Sequence, residues 1–203
     1  VAGVSRRAHV TPFAVFLAAY LVLLRQWSGT QDPVVGIPVA GRRHLETQSV
    51  VGLFADMVVI RADLAGRPSF VELVRRMHAT VTEAVEHQDV PLGRLVEELD
   101  PGSGPPDLPF FDIVINYTGD RQRIPARWGD LTVEVVDVDA GTSTYALTLF
   151  VRDEGRLKLE LVHRTAALTT QAATAFLDDY RRLLRNACAD PQRSIDDLAP
   201  LTR

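Results

Sequence analysis

Residues 83–99 read EAVEHQDVPLGRLVEEL and set a histidine, an amide and a carboxylate side by side at His87, Gln88 and Asp89. A histidine with a neighbouring carboxylate could act as a general base held by an orienting partner. The other reading is a helix corner. Histidine is favoured at a helix C-terminus by the backbone dipole, and Asp89 before Val90-Pro91 is turn chemistry. Consecutive residues on a helix point apart and do not converge on one substrate atom, so the corner is the preferred reading. His9, His44, His78 and His163 are the remaining histidines, and none stands at metal-ligand spacing from another histidine or from a cysteine. No metal site is expected. GIPVAGRR carries Gly36 and Gly41, yet it does not join a strand to a helix N-terminus as a phosphate-cradling loop does, and no nucleophile elbow is present. Residue types alone therefore show no assembled catalytic centre.

The elements that must position these residues are readable from periodicity. Thr11-Pro12 is an N-cap followed by a proline suited to the first helical turn, and Ser28-Gly29 closes that helix. Between them FAVFLAAYLVLL is apolar nearly all round, which predicts deep burial. PVVGIPVAGRR is a short β-prone run. Ala55–Leu64 reads as a strand with both faces covered. Ser69 and Glu72 form a capping box for a helix running to about His87, with Phe70, Leu73, Val74, Met77, Val81 and Val85 as its buried stripe. PLGRLVEEL is a second, short helix, and Pro101–Pro109 is a loop. FFDIVINY, LTVEVVDV, YALTLFVR and LKLELVHR are strand candidates, the last two joined by a turn at Asp153-Glu154-Gly155. A helix from about Thr170 to Cys188 follows, and SIDDLAPLTR reads as the edge of a linker. Mixed helices and strands with an antiparallel run near the end imply an α/β (α+β) two-layer sandwich, helices packed on a mixed β-sheet, in a single domain over 1–203.

The chain has 203 residues, 46% hydrophobic and 24% charged, with a net charge of -4. That composition is ordinary for a globular domain with a substantial core, and the charge argues against nucleic-acid binding through phosphate contacts. The single cysteine, Cys188, excludes an internal disulfide and fits a cytoplasmic compartment. The longest apolar run, Phe13–Leu24, is 12 residues, against about 20 for a membrane span. Neither a signal peptide nor a membrane association is expected.

EHQDVPLGRLVEELD resembles the HQ-x-x-P-F-x-x-L-V segment of nonribosomal peptide synthetase condensation domains. VVGIPVAGRRHLETQSVVGLFADMVVIR resembles the same family's G-x-P-V-A-G-R … G-x-F-V-N-T-x-x-L-R stretch. TPFAVFLAAYLVLLRQWSGTQD is similar to its buried helix, LPFFDIVINY to its P-L-F-Q-V strand, and YALTLFVRDEGRLKLELVHRTAALT to its late hairpin. The order and spacing agree from about Ser5 to Leu201. The resemblance implies the C-terminal lobe of a two-lobed chloramphenicol-acetyltransferase-like fold with a tunnel between the lobes. The family's catalytic H-H-x-x-x-D-G belongs to the N-terminal lobe, and no two histidines are adjacent here. The chain then reads as an excised piece, one half of a split chain or a truncated relative, with no catalytic residue of its own.

What the resemblance implies is amide-bond formation between a carrier-bound acyl or peptidyl donor and an aminoacyl acceptor. The partners are the N-terminal lobe, donor and acceptor carrier proteins and an adjacent adenylation domain. The 4′-phosphopantetheine arms belong to the carriers, and no cofactor binds this chain directly. The tunnel-facing residues carried over from the family are Gly36, Pro38, Gly41, Arg42, Phe54, Asp56 and Arg61. Thr144, Tyr145 and Ala146 mark the lobe junction, and His87, Gln88, Asp89 and Pro91 are a structural signature. This chain departs from the family at Asp56, where asparagine is usual, at Ser103 and Asp107, where arginines are, and at Thr144-Tyr145-Ala146-Leu147 in place of K-F-D-L. His163 stands where the family often has tyrosine and is read as structural. A catalytically silent relative that recruits other proteins is the alternative. The sparse polar patterning of FAVFLAAYLVLL and ADMVVIR predicts an exposed apolar face that another lobe covers.

Overall fold

The computed structural model describes residues 1–99, 110–119, 127–134, 136, 138, 141–153 and 156–198. Helices α1 (Ala2–Ala8), α2 (Pro12–Ser28) and α3 (Leu45–Gln48) alternate with strands β1 (Val34–Val39) and β2 (Asp56–Arg61). Helices α4 (Phe70–Glu86) and α5 (Leu92–Leu99) follow, then strands β3 (Ile113–Thr118), β4 (Arg127–Trp128), β5 (Leu131–Thr132), β6 (Leu147–Asp153) and β7 (Leu157–His163), and helix α6 (Thr170–Ala189). The main sheet has the order β2-β1-β3-β6-β7. Its two central pairings, β1 with β3 and β3 with β6, are parallel, and β2 and β7 are antiparallel edges. β4 and β5 pair only with each other. This is the mixed sheet packed by helices that the element order implied.

The helix boundaries follow from their caps. Thr11 Oγ1 accepts the Ala14 N–H at 3.3 Å, and Gly29 ends α2 at a φ of 76°. Ser69 and Glu72 close a reciprocal capping box on α4. Strand alternation puts Val35, Ile37, Ile60, Ile115, Leu149 and Val151 on one face of the sheet, inside the core formed with the helices. Phe13 and Phe16 of α2 meet Tyr117 of β3 at ring distances of 6.1 and 5.6 Å, which seats α2 over the sheet centre. Every residue from Ala14 to Leu24 is buried by this chain itself. The expectation that this segment exposes an apolar face is therefore corrected: α2 is the core helix, covered by α4 and α6.

Three further readings change. β2 is an edge strand with Met57, Val58 and Val59 only half-buried, so its apolar run does not have both faces covered. Of the tail, Ser194–Leu198 belongs to the fold rather than to a linker edge, because Ile195 and Leu198 are buried in the core and Gln26 Nε2 donates to the Leu198 carbonyl at 2.8 Å, while 199–203 lie outside the described residues. Of LTVEVVDV only Leu131–Thr132 is strand among the described residues. The 101–109 loop and the Glu154-Gly155 turn lie outside the described residues, although β6 and β7 do pair as the antiparallel hairpin expected. Among the described residues no single helix is long and apolar enough to cross a membrane.

Candidate functional site

The sheet face turned away from the α2 core carries the chemically mixed side chains. By alternation, Gly36 and Pro38 of β1, Met57 of β2, Val114 and Asn116 of β3, and Thr148 and Phe150 of β6 share it. All of them except Gly36, which the Phe111 ring covers, line an open concavity of about 1160 Å³ together with the loop before β6. Its floor combines apolar Pro38, Met57 and Val114 with the Asn116 amide and the Thr148 hydroxyl. Toward the β7 edge, Arg152 Nη2 lies 3.3 Å from Glu160 Oε2. That pairing keeps the buried carboxylate oxygen from standing alone in an apolar wall.

One wall is built on a missing side chain. A Cβ on Gly36 would lie 2.3 Å from the Phe111 ring, so glycine lets that ring rest on the strand. Phe111 is buried, and Tyr145 stacks on it with centroids 5.7 Å apart and planes at 25°. Asp112, next to Phe111, fixes the segment around Tyr145. Its Oδ1 accepts the Ala146 N–H at 2.8 Å, its Oδ2 pairs with the Arg164 guanidinium, and the Arg164 N–H donates to the Ala146 carbonyl at 3.1 Å. Burial raises the pKa of the Tyr145 phenol above its usual value.

A second cluster shapes the loop after β1. Gly41 has a φ of 62°, and a Cβ there would lie 1.9 Å from the Phe54 carbonyl oxygen. Arg42 donates to the carbonyls of Thr47, of Val50 at 2.8 Å and of Gly52 at 3.1 Å, while its guanidinium carbon sits 4.3 Å from the Phe54 ring centroid. The strapped loop leaves Leu45, Val51 and Leu53 exposed. The residues expected to face a tunnel thus divide. Pro38 lines the concavity, Gly36 lies on the same sheet face beneath Phe111, and Gly41, Arg42 and Phe54 form the loop clamp. Asp56 sits at the mouth of β2 opposite Val39, its Oδ1 accepting the Met57 N–H at 2.7 Å, on the same strand parity as Val58 and Ile60. Arg61, at the other end of β2, holds Asp32 through Nε at 2.8 Å and Nη2 at 2.5 Å, and this guanidinium lowers the pKa of the Asp32 carboxyl. Thr144 and Tyr145 line the concavity, and Ala146 serves through its backbone.

His87, Gln88 and Asp89 go to separate places. His87 is the C-cap of α4, Gln88 Nε2 donates to the Val85 carbonyl at 2.7 Å, and Asp89 pairs with Arg43. Pro91 directly precedes α5, its carbonyl accepting the Arg94 N–H at 3.0 Å. His163 ends β7 opposite Leu147, and its buried Nε2 has no hydrogen-bond partner among the described residues. Among the described residues no three His, Cys, Asp or Glu side chains are grouped to hold a metal ion. Sequence reasoning missed Phe111, Asp112, Asn116 and Arg164. The available signal was polarity out of place: an amide in the middle of the apolar run IVINY, and an aspartate directly before it.

The family model for the Condensation domain matches residues 2–202. The phosphinothricin tripeptide synthetase PhsB of Streptomyces viridochromogenes is 43% identical over 73% of this chain and 13% of its own length. Surfactin synthase subunit 1 of Bacillus subtilis is 32% identical over 92% of this chain and 5% of its own length. Among solved structures, the condensation domain of the monacolin K polyketide synthase superimposes with a TM-score of 0.84 at 24% identity, over 95% of this chain and 45% of that one. The X-domain from teicoplanin biosynthesis, in complex with OxyB, gives 0.79 at 25% identity over 100% of this chain and 45% of that one. The chain thus spans under half of these two solved chains and a small fraction of the two synthetases.

Proposed function

Because the chain belongs to the condensation-domain family, we propose that it is the C-terminal lobe of a peptide-synthetase condensation domain. In that reading an amine borne by one carrier protein attacks the thioester carbonyl borne by another. The C–N bond forms, the C–S bond breaks, the donor carrier recovers its thiol and the attacking nitrogen loses a proton. The adjacent histidines of the family motif are absent from this sequence, so the group that handles the proton comes from an N-terminal lobe. This lobe contributes position rather than proton transfer, holding the reactants close and excluding water.

The observation that carries the reading is the concave sheet face. Pro38, Met57 and Val114 offer apolar contact, while Asn116 and Thr148 offer hydrogen bonds in the same lining. That mixture suits a 4′-phosphopantetheine arm, which alternates methylenes with amides. The exposed Leu45, Val51 and Leu53 support a docking surface for a carrier protein or the neighbouring lobe. A cytoplasmic synthetase with an adjacent adenylation domain is the setting this reading requires.

The test is reconstitution. The two-lobed protein containing this chain, given loaded donor and acceptor carriers, is expected to release the amide product detected by mass spectrometry. The isolated chain is expected to give no more product than the carriers alone. Absence of product from the two-lobed protein, with both carriers verified as loaded, overturns the reading. The X-domain neighbour, solved with a partner protein, favours a second reading in which the domain recruits another protein without catalysis. Binding of a tailoring enzyme by a two-lobed protein that makes no amide is the outcome that selects it.

A further inference from the structure

Tyr145 lies outside regular secondary structure, two residues before β6, yet the peptide that follows it is tied down at both its oxygen and its N–H. Ser143 Oγ donates to the Tyr145 carbonyl at 2.6 Å, and the Ala146 N–H donates to Asp112 at 2.8 Å. Asp112 is itself paired with Arg164, at the end of β7. The Tyr145–Ala146 peptide is therefore held through its oxygen by Ser143 and through its N–H by the aspartate that precedes β3, and the next carbonyl, that of Ala146, by the N–H of Arg164 just after β7. Under the ring lies Phe111, and under Phe111 the bare Cα of Gly36. This column of strand, ring and ring rises from the sheet into the concavity. One face of Tyr145 is occupied by the stack, and the residue lines the concavity beside Thr144. A ring supported in this way holds its position when a ligand presses on it, whereas a lone side chain would rotate aside.

Resting on the reading of this face as a substrate wall, we propose that Tyr145 is the specificity-determining residue that limits the bulk of the acyl side chain admitted to the concavity. Phe111 is its positioning residue, acting through the stack. Shortening Tyr145 opens apolar space against Phe111 and favours larger groups. Each added methylene in an apolar pocket discriminates by roughly tenfold or more.

The test reads binding and not turnover, so it is independent of whether the protein forms amides. The two-lobed protein is titrated calorimetrically with the acetyl, isovaleryl and phenylacetyl thioesters of N-acetylcysteamine. In Tyr145→Ala the ratio of the phenylacetyl to the acetyl dissociation constant is expected to fall about tenfold. Tyr145→Phe, which keeps the ring and the stack, is expected to keep the wild-type ratio. Tyr145→Leu serves the same purpose if the alanine variant does not fold. An unchanged ratio in a folded Ala or Leu variant overturns the assignment. So does an equal loss of affinity for all three thioesters, or a wild-type protein that binds none of them. Loss of amide formation with the ratio shifted as expected would count against the proposed reaction and leave the role of Tyr145 standing.

Discussion

Arg43 Nη1 lies 2.5 Å from Asp89 Oδ2 and 3.2 Å from the Glu86 carbonyl oxygen. One guanidinium therefore neutralises the aspartate of the HQDVP corner and satisfies a carbonyl in the last turn of α4. Two stretches some 46 residues apart, each suggestive in the sequence, are joined as a single corner. The apparent His-Gln-Asp cluster dissolves on inspection of its partners, with the carboxylate turned toward arginine.

The arginine should matter more than the aspartate. The pair is exposed, at 41% and 73% for its two side chains, and exposed pairs contribute about 0–1 kcal/mol. Asp89→Ala is expected to lower unfolding free energy by less than ~1 kcal/mol in urea titrations. Arg43→Ala also leaves the Glu86 carbonyl without its donor and is expected to cost about 1 kcal/mol more. Equal effects of the two substitutions would show that the carbonyl contact contributes nothing.

Two glycines should respond differently to the same added methyl group. In Gly36→Ala the Cβ meets a ring, which can tilt, so overpacking of about 1–3 kcal/mol is expected, with partial recovery in the Gly36→Ala/Phe111→Leu double variant. In Gly41→Ala the Cβ meets the Phe54 backbone oxygen at a positive φ, and no side-chain change relieves it. A loss of ~3 kcal/mol or more is expected there. A double-mutant cycle at Gly36 with no coupling to Phe111 would refute the stacked wall.

The contrast between those glycines shows where sequence reading stops. Local rules found α2 and α4, because Thr11 and Ser69 each cap a nearby backbone N–H, and they found α6 without using its Thr169 cap. They also found the β6–β7 hairpin, whose strands are adjacent in the chain. They missed α1, whose N-cap Val1 supplies no side-chain bond, and the one-turn α3. They placed β2 in the interior because a continuous apolar run reports side-chain character and not neighbouring strands. The site was legible only in pieces. GIPVAGRR and LPFFDIV could each be marked, but no spacing in the sequence says that Phe111 rests on Gly36.

Acid should act on α4 through Glu72. Its carboxylate accepts the Ser69 N–H at 2.7 Å and the Ser69 hydroxyl at 2.8 Å, and these bonds, the backbone one first, hold its pKa below the ordinary 4.5. A carboxylate whose pKa is lower in the folded state stabilises the fold fully above its unfolded pKa. That contribution is lost as pH falls through the lowered folded value. The melting temperature of Glu72→Gln is thus expected to lie below wild type at pH 7, and the gap to close as pH drops below about 4. A gap that persists at pH 2 would mean that the carboxylate charge is not what stabilises the cap.

The two core tyrosines offer the sharpest internal control. Tyr20 and Tyr180 are both fully buried, and their rings meet edge to face at 6.1 Å. Burial raises both phenol pKa values well above the usual one. Their hydroxyls differ. The Tyr180 hydroxyl donates to the Phe16 carbonyl at 3.0 Å, in addition to that carbonyl's place in α2, whereas the Tyr20 hydroxyl has no hydrogen-bond partner among the described residues. Removing a satisfied buried donor loses a net bond of about 1 kcal/mol, and removing an unsatisfied one relieves a desolvation cost of about 1–3 kcal/mol. Tyr180→Phe is therefore expected to destabilise by ~1 kcal/mol, and Tyr20→Phe to leave stability unchanged or raise it. Both substitutions keep the rings and so the packing, which isolates the hydroxyl. Urea unfolding of the two variants at neutral pH decides the matter: a Tyr20→Phe loss as large as that of Tyr180→Phe would mean that the Tyr20 hydroxyl is hydrogen-bonded in solution.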